Sequence, residues 1–279
     1  MVMCCTDILV LWDGWTMQFL KLGGSLITDK HRPYTPLPER LAALAEVIAA
    51  FRRERPDEAL LLGHGSGSFG HWEAQQRGWD DHVADATGWV DFAHVGHAAR
   101  RLNQLVMEAL LAAGVPAVAF PPSAAAWASE GRVQRWLWEP LRAALKANLV
   151  PVVYGDVVFD AARGGVIAST EAIFAFLAPH LHPRRILIAG VEPGVWADYP
   201  ACTRIVPEIT PHNFAAVLPA LQGSAAADVT GGMAAKVQAM LDLASQWPGT
   251  EVLIFDGRAP ETVAAALRGA SPGTRVWAP

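Results

Sequence analysis

Short apolar runs alternate with longer amphipathic stretches along most of the chain. The runs at Phe19–Leu22, Leu60–Leu62, Ala117–Phe120, Val150–Val153, Ile186–Ala189 and Val252–Phe255 have the length and composition of strands buried on both faces. Between and after them, Pro38–Glu54, His94–Ala113, Glu139–Ala147, Thr170–His180 and Gly231–Gln246 repeat apolar residues at helical spacing. This alternation predicts an α/β fold with a mostly parallel central sheet covered by helices on both faces. Several strands run straight into glycine-containing turns, so loops collect at the carboxyl edge, where open α/β sheets bind ligands. The stretch Pro151–Asp160 reads as a buried strand, a Gly155-Asp156 turn and an alternating segment. It predicts a small hairpin over the crevice, with Asp156 at its mouth.

Composition narrows the picture. With 279 residues, 52% hydrophobic and 18% charged, and no linker or repeat, the chain is expected to form one domain over 19–279. Residues 1–18 read as an extension, because Met17-Gln18-Phe19-Leu20 leads directly into the first glycine loop; Met17 is the expected natural start. A net charge of −5 provides no general field for nucleic acid, so any anion must be held by local donors. Three cysteines, Cys4, Cys5 and Cys202, fit neither a disulfide framework nor a zinc site, and a reducing cytoplasm is the expected setting. No signal peptide or membrane-spanning run is recognised, and no protein-built metal site is expected. His94 and His97 lie one helical turn apart without a third ligand and are assigned no role.

The candidate chemistry lies in two loops that follow strands, Lys21-Leu22-Gly23-Gly24-Ser25 and Gly63-His64-Gly65-Ser66-Gly67-Ser68-Phe69-Gly70-His71. Glycine-rich turns can aim successive backbone N–H groups at a phosphate, especially where they open a helix. Two cradles flanked by Lys21 and Lys30 suggest a charged group moved between them, hence phosphoryl transfer. A third phosphate contact is expected where Asp228-Val229-Thr230-Gly231-Gly232-Met233 enters a helix carrying Lys236. Gly65–Gly70 literally matches G-x-G-x-x-G, but it follows the second strand, and Asp85 and Asp91 fall in a Trp-rich segment rather than closing a strand. The Walker A and protein-kinase motifs are absent. His71-Trp72-Glu73 lacks the Pro-Cys-x-x-Cys that a zinc deaminase requires.

Taken in order, Lys21–Lys30, Ser68-Phe69-Gly70-His71, Tyr154-Gly155-Asp156 and Gly231-Gly232-Met233 with Lys236 resemble the amino acid kinase superfamily and, within it, the isopentenyl phosphate kinases. The resemblance runs from Phe19 to about Phe255. It implies an open αβα sandwich, usually a homodimer, with ATP and magnesium (Mg2+) as donor and isopentenyl phosphate as acceptor. It also implies an acceptor-binding part over about 19–180 and a nucleotide-binding part over about 181–279. Carried over by motif, Lys21, Gly23, Gly24 and Ser25 hold and polarise the donor phosphates, joined by Ser66, Gly70, Gly232 and Lys236. Lys30 stabilises the transferring group, and Gly65 and His71 grip the acceptor phosphate. Lys21, Lys30 and His71 are thus the expected catalytic residues.

The residue chemistry suits this independently. A phosphate monoester has its second pKa near 6, so at neutral pH it is already an anionic nucleophile and needs no general base. Lysines, amides and magnesium supply what is missing, relief of repulsion and in-line positioning. Asp156 is expected to orient Lys21 or Lys30. The departure from the family pattern is Ala168-Ser169-Thr170-Glu171-Ala172, where many relatives have a Ser-Gly-Asp-Asp turn; Thr170 is the best-matched acceptor contact there. Alternatives are another small phosphate or phosphonate of the fosfomycin type, a carboxylate acceptor, or a non-catalytic nucleotide- or oxyanion-binding protein. Among the 11 tryptophans, Trp72, Trp79, Trp89, Trp127, Trp136 and Trp138 read mostly as packing or dimer contacts, with an apolar slot for a five-carbon tail as the alternative.

Overall fold

The computed structural model describes residues 16–79, 82–83, 85–223 and 232–279. Its main sheet draws on β1 (Met17–Leu22), β2 (Ala59–His64), β3 (Ala117–Ala119), β6 (Val150–Tyr154), β9 (Arg185–Gly190), β12 (Glu208–Ile209), β13 (Glu251–Asp256) and β14 (Thr274–Val276), in the order β12-β14-β13-β9-β1-β2-β6-β3. Every pairing in it is parallel except β13 with β14. A second sheet, β5-β4-β7-β8, is built from β4 (Trp127–Ser129), β5 (Arg132–Arg135), β7 (Asp156–Asp160) and β8 (Gly164–Ala168). Strands β10 (Val195–Trp196) and β11 (Ile205–Val206) pair as a small ribbon.

Helices α1 (Gly24–Ile27), α2 (Pro38–Glu54), α3 (Gly67–Arg77), α4 (Ala86–Ala112), α5 (Glu139–Lys146), α6 (Thr170–Leu181), α7 (Phe214–Gly223), α8 (Gly232–Gln246) and α9 (Pro260–Leu267) fill the layers. Successive side chains of a strand point to opposite faces, and β1 shows the consequence. Met17 and Phe19 join Ile173, Phe174, Leu177 of α6 and Val237, Met240 of α8 in one core. Leu20 and Leu22 join Leu44 and Ile48 of α2, Leu102 and Val106 of α4, and Val263 of α9 in the other. Helices on both faces of a mostly parallel sheet make the αβα sandwich expected from the pattern.

The same alternation places Lys21 on the Phe19 face, toward α6. β1 begins at Met17 rather than Phe19: Gln18 is buried, and its amide donates to the Leu267 carbonyl at 3.0 Å and to Glu58 at 2.9 Å. The rest of the expected extension, residues 1–15, lies outside the described residues.

Two local expectations are corrected. Residues 156–160 do form a hairpin, β7 pairing antiparallel with β8, but it leaves the main sheet at Gly155 and joins β4 in the second sheet rather than lying over the crevice. Of the stretch Gly63–His71 read as a glycine loop, the part from Gly67 onward is already helical, in α3, so His71 stands on that helix.

Candidate active site

The carboxyl edge of the main sheet is stitched by the residue that follows each strand. Gly155 N–H donates to the His64 carbonyl at 3.0 Å, Gly65 to Leu22 at 3.0 Å, Gly23 to Ala189 at 2.8 Å and Gly257 to Gly190 at 2.9 Å. Each bond carries the ladder one residue past the strand, so the loops leave from one fixed edge.

There the two glycine-rich loops meet backbone to backbone. A Cβ on Gly24 would lie 2.5 Å from Gly67 N, and one on Gly65 would lie 2.8 Å from Gly24 N. Any side chain at these points would push the loops apart. Gly67 has φ of +50°, which lets Ser68 N–H turn to the Thr28 hydroxyl at 2.9 Å, while that hydroxyl donates to the Gly24 carbonyl at 2.7 Å.

The loops frame a cleft of about 440 Å³, a volume within the usual range for small-ligand sites. Lys21, Gly23, Gly24, Ser25, Lys30, Gly65, His71 and Glu171 line its polar end. Its other end is largely apolar, with Ile188, Val195, Trp196, Leu221, Met240 and Phe255 among its walls. A polar pole joined to an apolar slot has the character needed for a phosphate chain attached to an aromatic base.

Lys21 is buried and ion-paired with Glu171, itself 6% exposed, on the first turn of α6. The close approach is possible because Gly63 stands beside Lys21 in the sheet: a Cβ there would lie 2.5 Å from Thr170 Cγ2. The carboxylate paired with Lys21 is thus Glu171, where the sequence pointed to Asp156 as the group that orients Lys21 or Lys30. Asp156 is 2% exposed; its carboxylate accepts from Ser123 N–H at 3.1 Å and Val157 N–H at 2.9 Å. Burial pushes its pKa up, against the pull of these hydrogen bonds and of Arg100. It is not among the residues lining the cleft, because β7 turns away from the main sheet immediately after Gly155.

Several other expected residues stand behind the cleft rather than in it. Thr170 is 1% exposed and donates its hydroxyl to the His64 carbonyl at 2.7 Å, tying α6 to the end of β2. Ser66 is 5% exposed, and a Cβ on Gly70 would lie 2.7 Å from that of Ser66, so this pair closes the first turn of α3. Gly232 opens α8 and Lys236 follows a turn later; the Lys236 side chain and residues 224–231 lie outside the described part. His64, which sequence reasoning passed over, is fully buried, its ring stacked on Tyr154 and its nitrogens 3.0 Å from the Gly65 carbonyl and 3.1 Å from Asn103 Oδ1. Burial holds its pKa below the usual histidine value. Of the six tryptophans considered, none lines the cleft: Trp79 and Trp136 are buried, whereas Trp89 and Trp127 are exposed. Among the described residues, the tryptophan lining the cleft is Trp196.

The sequence profile of the amino acid kinase family matches residues 16–256. The chain belongs to the amino acid kinase family. It is 38% identical over 264 residues to an isopentenyl phosphate kinase of Haloferax volcanii, an alignment covering 92% of this chain and 97% of that protein. It is 30% identical over 266 residues to one of Methanocaldococcus jannaschii, covering 93% and 98%. Among solved structures, an isopentenyl phosphate kinase superposes with a TM-score of 0.78 at 29% identity, covering 93% of this chain and all of that one. The amino acid kinase fold expected from the motifs is thus the fold observed.

Proposed function

We propose that this chain transfers the γ-phosphoryl group of ATP to isopentenyl phosphate, giving isopentenyl diphosphate and ADP. The observation that carries the reading is the convergence of both glycine loops with Lys21, Lys30 and His71 in one cleft. Relatives that align over nearly their whole lengths, among them the two isopentenyl phosphate kinases above, supply the acceptor.

In the reaction, an oxygen of the acceptor phosphate forms a bond to the γ-phosphorus as the bond to the ADP oxygen breaks. The acceptor is already anionic, so no proton need be removed by the protein. Lys21, held by Glu171, lies beside Gly23–Ser25 to balance charge on the donor phosphates, with Gly232 and Lys236 on the same side. Ser66 and Gly70 contribute by shaping the first turn of α3. Lys30 reaches in from its loop to the transferring group. Gly65 and His71 hold the acceptor phosphate, and Thr170 acts through the loop it anchors.

Among the described residues no group of three His, Cys, Asp or Glu side chains could hold a metal ion. Magnesium characteristically keeps its waters and binds substrate phosphates with one or two carboxylates, so an ion carried in with ATP needs no protein-built cage; Glu171 and Glu192 are carboxylates among the residues lining the cleft. Bound there, it would neutralise charge shared by the β- and γ-phosphates.

A homodimer and a cytoplasmic location complete the proposal, supported by the family resemblance and by the low cysteine content. Among the described residues no helix is long and apolar enough to cross a membrane. ADP release measured with Mg-ATP and a panel of acceptors tests the function; activity confined to fosfomycin or to a carboxylate would replace the acceptor.

A further inference from the structure

We propose that Tyr34 and Glu73 are positioning residues that clasp the loop carrying Lys30 onto the helix carrying His71. This inference rests on the function proposed above for those two side chains. Lys30 is exposed, so its reach into the cleft is set by where its backbone is held. Residues 28–36 form a closed loop: Thr28 bridges Pro36, Asp29 N–H donates to the Thr35 carbonyl at 2.9 Å, and Leu37 N–H to Ile27 at 2.9 Å. At its tip, Arg32 N–H turns back to the Asp29 carbonyl at 3.3 Å, and Asp29 Oδ1 accepts from His31 N–H at 2.9 Å. Lys30 stands inside that turn.

The loop lies on the start of α3 through Tyr34. Tyr34 has φ of +50°, a conformation that a bulky side chain adopts only when its surroundings demand it. The demand is visible on both sides of the residue. Its N–H donates to the Ser68 carbonyl at 2.9 Å, and its hydroxyl donates to Glu73. Its ring meets Phe69 edge-on at 5.6 Å, with the Arg101 guanidinium 5.2 Å from the ring centre. Ser68, Phe69 and Glu73 flank His71 on α3. Glu73 is in turn held by Arg77 Nε at 2.6 Å, and His94 Nδ1 lies 3.8 Å away. Thr28 and Thr35 also bond the loop to Ser68, Ser68 N–H donating to the Thr28 hydroxyl at 2.9 Å and Thr35 N–H to Ser68 Oγ at 3.2 Å; Tyr34 extends this attachment along α3 to a carboxylate that the helix itself braces. A hydrogen bond to a charged acceptor is strong enough to fix such a loop.

The test is a double-mutant cycle on steady-state kinetics together with amide hydrogen exchange. Tyr34→Phe and Glu73→Gln should each lower kcat about fivefold to tenfold while changing the KM for Mg-ATP less than about twofold. Tyr34→Phe added to Lys30→Ala should cost almost nothing further, because the clasp acts through Lys30. Exchange at residues 29–35 should accelerate in Tyr34→Phe while α2 stays protected. Independent, multiplicative losses in the double mutant, or unchanged exchange at 29–35, would overturn the clasp. The exchange arm needs no substrate, and the cycle is run with whichever acceptor the wild-type protein turns over, so a wrong acceptor and a wrong clasp give different results.

Discussion

The two sheets of this protein differ in what covers them. The eight-stranded sheet is enclosed on both faces, and every residue of β1, β2 and β6 is buried. In the four-stranded sheet, β5 is largely exposed, and Trp127 of β4 and Phe159 of β7 are 41% and 42% exposed. All the residues lining the polar end of the cleft come from the edge, the loops or the flanking helices of the enclosed sheet. Precise placement of charged groups requires supports whose own rotamers are locked, and the enclosed sheet provides them. The smaller sheet is buried where Ala128, Val158 and Val166 enter the core, but its outer face leaves Trp127 and Phe159 partly exposed, so those two side chains should tolerate change.

The sharpest contrast is in stability. Phe174, fully buried and 4.9 Å from the Phe19 ring, should cost about 3–5 kcal/mol when replaced by alanine. Phe159→Ala should cost about 1 kcal/mol or less and leave kcat within about twofold. Urea denaturation of both variants checks this, and equal losses would erase the distinction between the sheets.

Next in size is Lys21→Ala, which removes the cation paired with Glu171 at the phosphate end. A loss of about a hundredfold to a thousandfold in kcat is expected, about 2.7–4 kcal/mol of transition-state stabilisation, with the fold retained by circular dichroism. Lys30→Ala and His71→Ala should each lower kcat at least about tenfold, about 1.4 kcal/mol or more.

The smallest effect concerns pH. His64 is buried with its pKa below the unfolded value, so the unfolded chain binds a proton that the native protein resists. As pH falls below about 6.5, this group makes stability decline by at most about 1.4 kcal/mol per pH unit until its folded pKa is reached; above that pH its contribution is constant. Unfolding midpoints between pH 7.5 and 5 should show this slope, flattened in His64→Gln relative to wild type.

Much of the fold was legible because the main-sheet strands are short, apolar and bounded by glycine. Helix α2 spans the predicted Pro38–Glu54, and Ile186–Ala189 lies inside β9 with one residue added at each end. Legibility ended where two signals competed. Gly67 and Gly70 disguised the start of α3, although Gly78 closes that helix in the left-handed conformation that commonly ends helices. Helix α4 starts at Ala86, eight positions before the predicted His94; the Asp85 side chain that caps it, accepting from Gly88 N–H at 3.0 Å, was the available signal. In the cleft, the glycines and lysines carried a recognisable order. Glu171 was visible only as a departure from the pattern, because its pairing with Lys21 spans the chain. Tyr34 and Glu73 left no periodic trace at all, being 39 residues apart and joined only by tertiary packing.

The most direct test of the central claim is coupled ADP release by the purified protein with Mg-ATP, comparing isopentenyl phosphate, dimethylallyl phosphate, fosfomycin, acetylglutamate, carbamate and no acceptor. Selective turnover of isopentenyl phosphate, lost together in Lys30→Ala and His71→Ala, is the predicted result. ATP binding without turnover of any acceptor, or turnover unaffected by either substitution, would contradict the account.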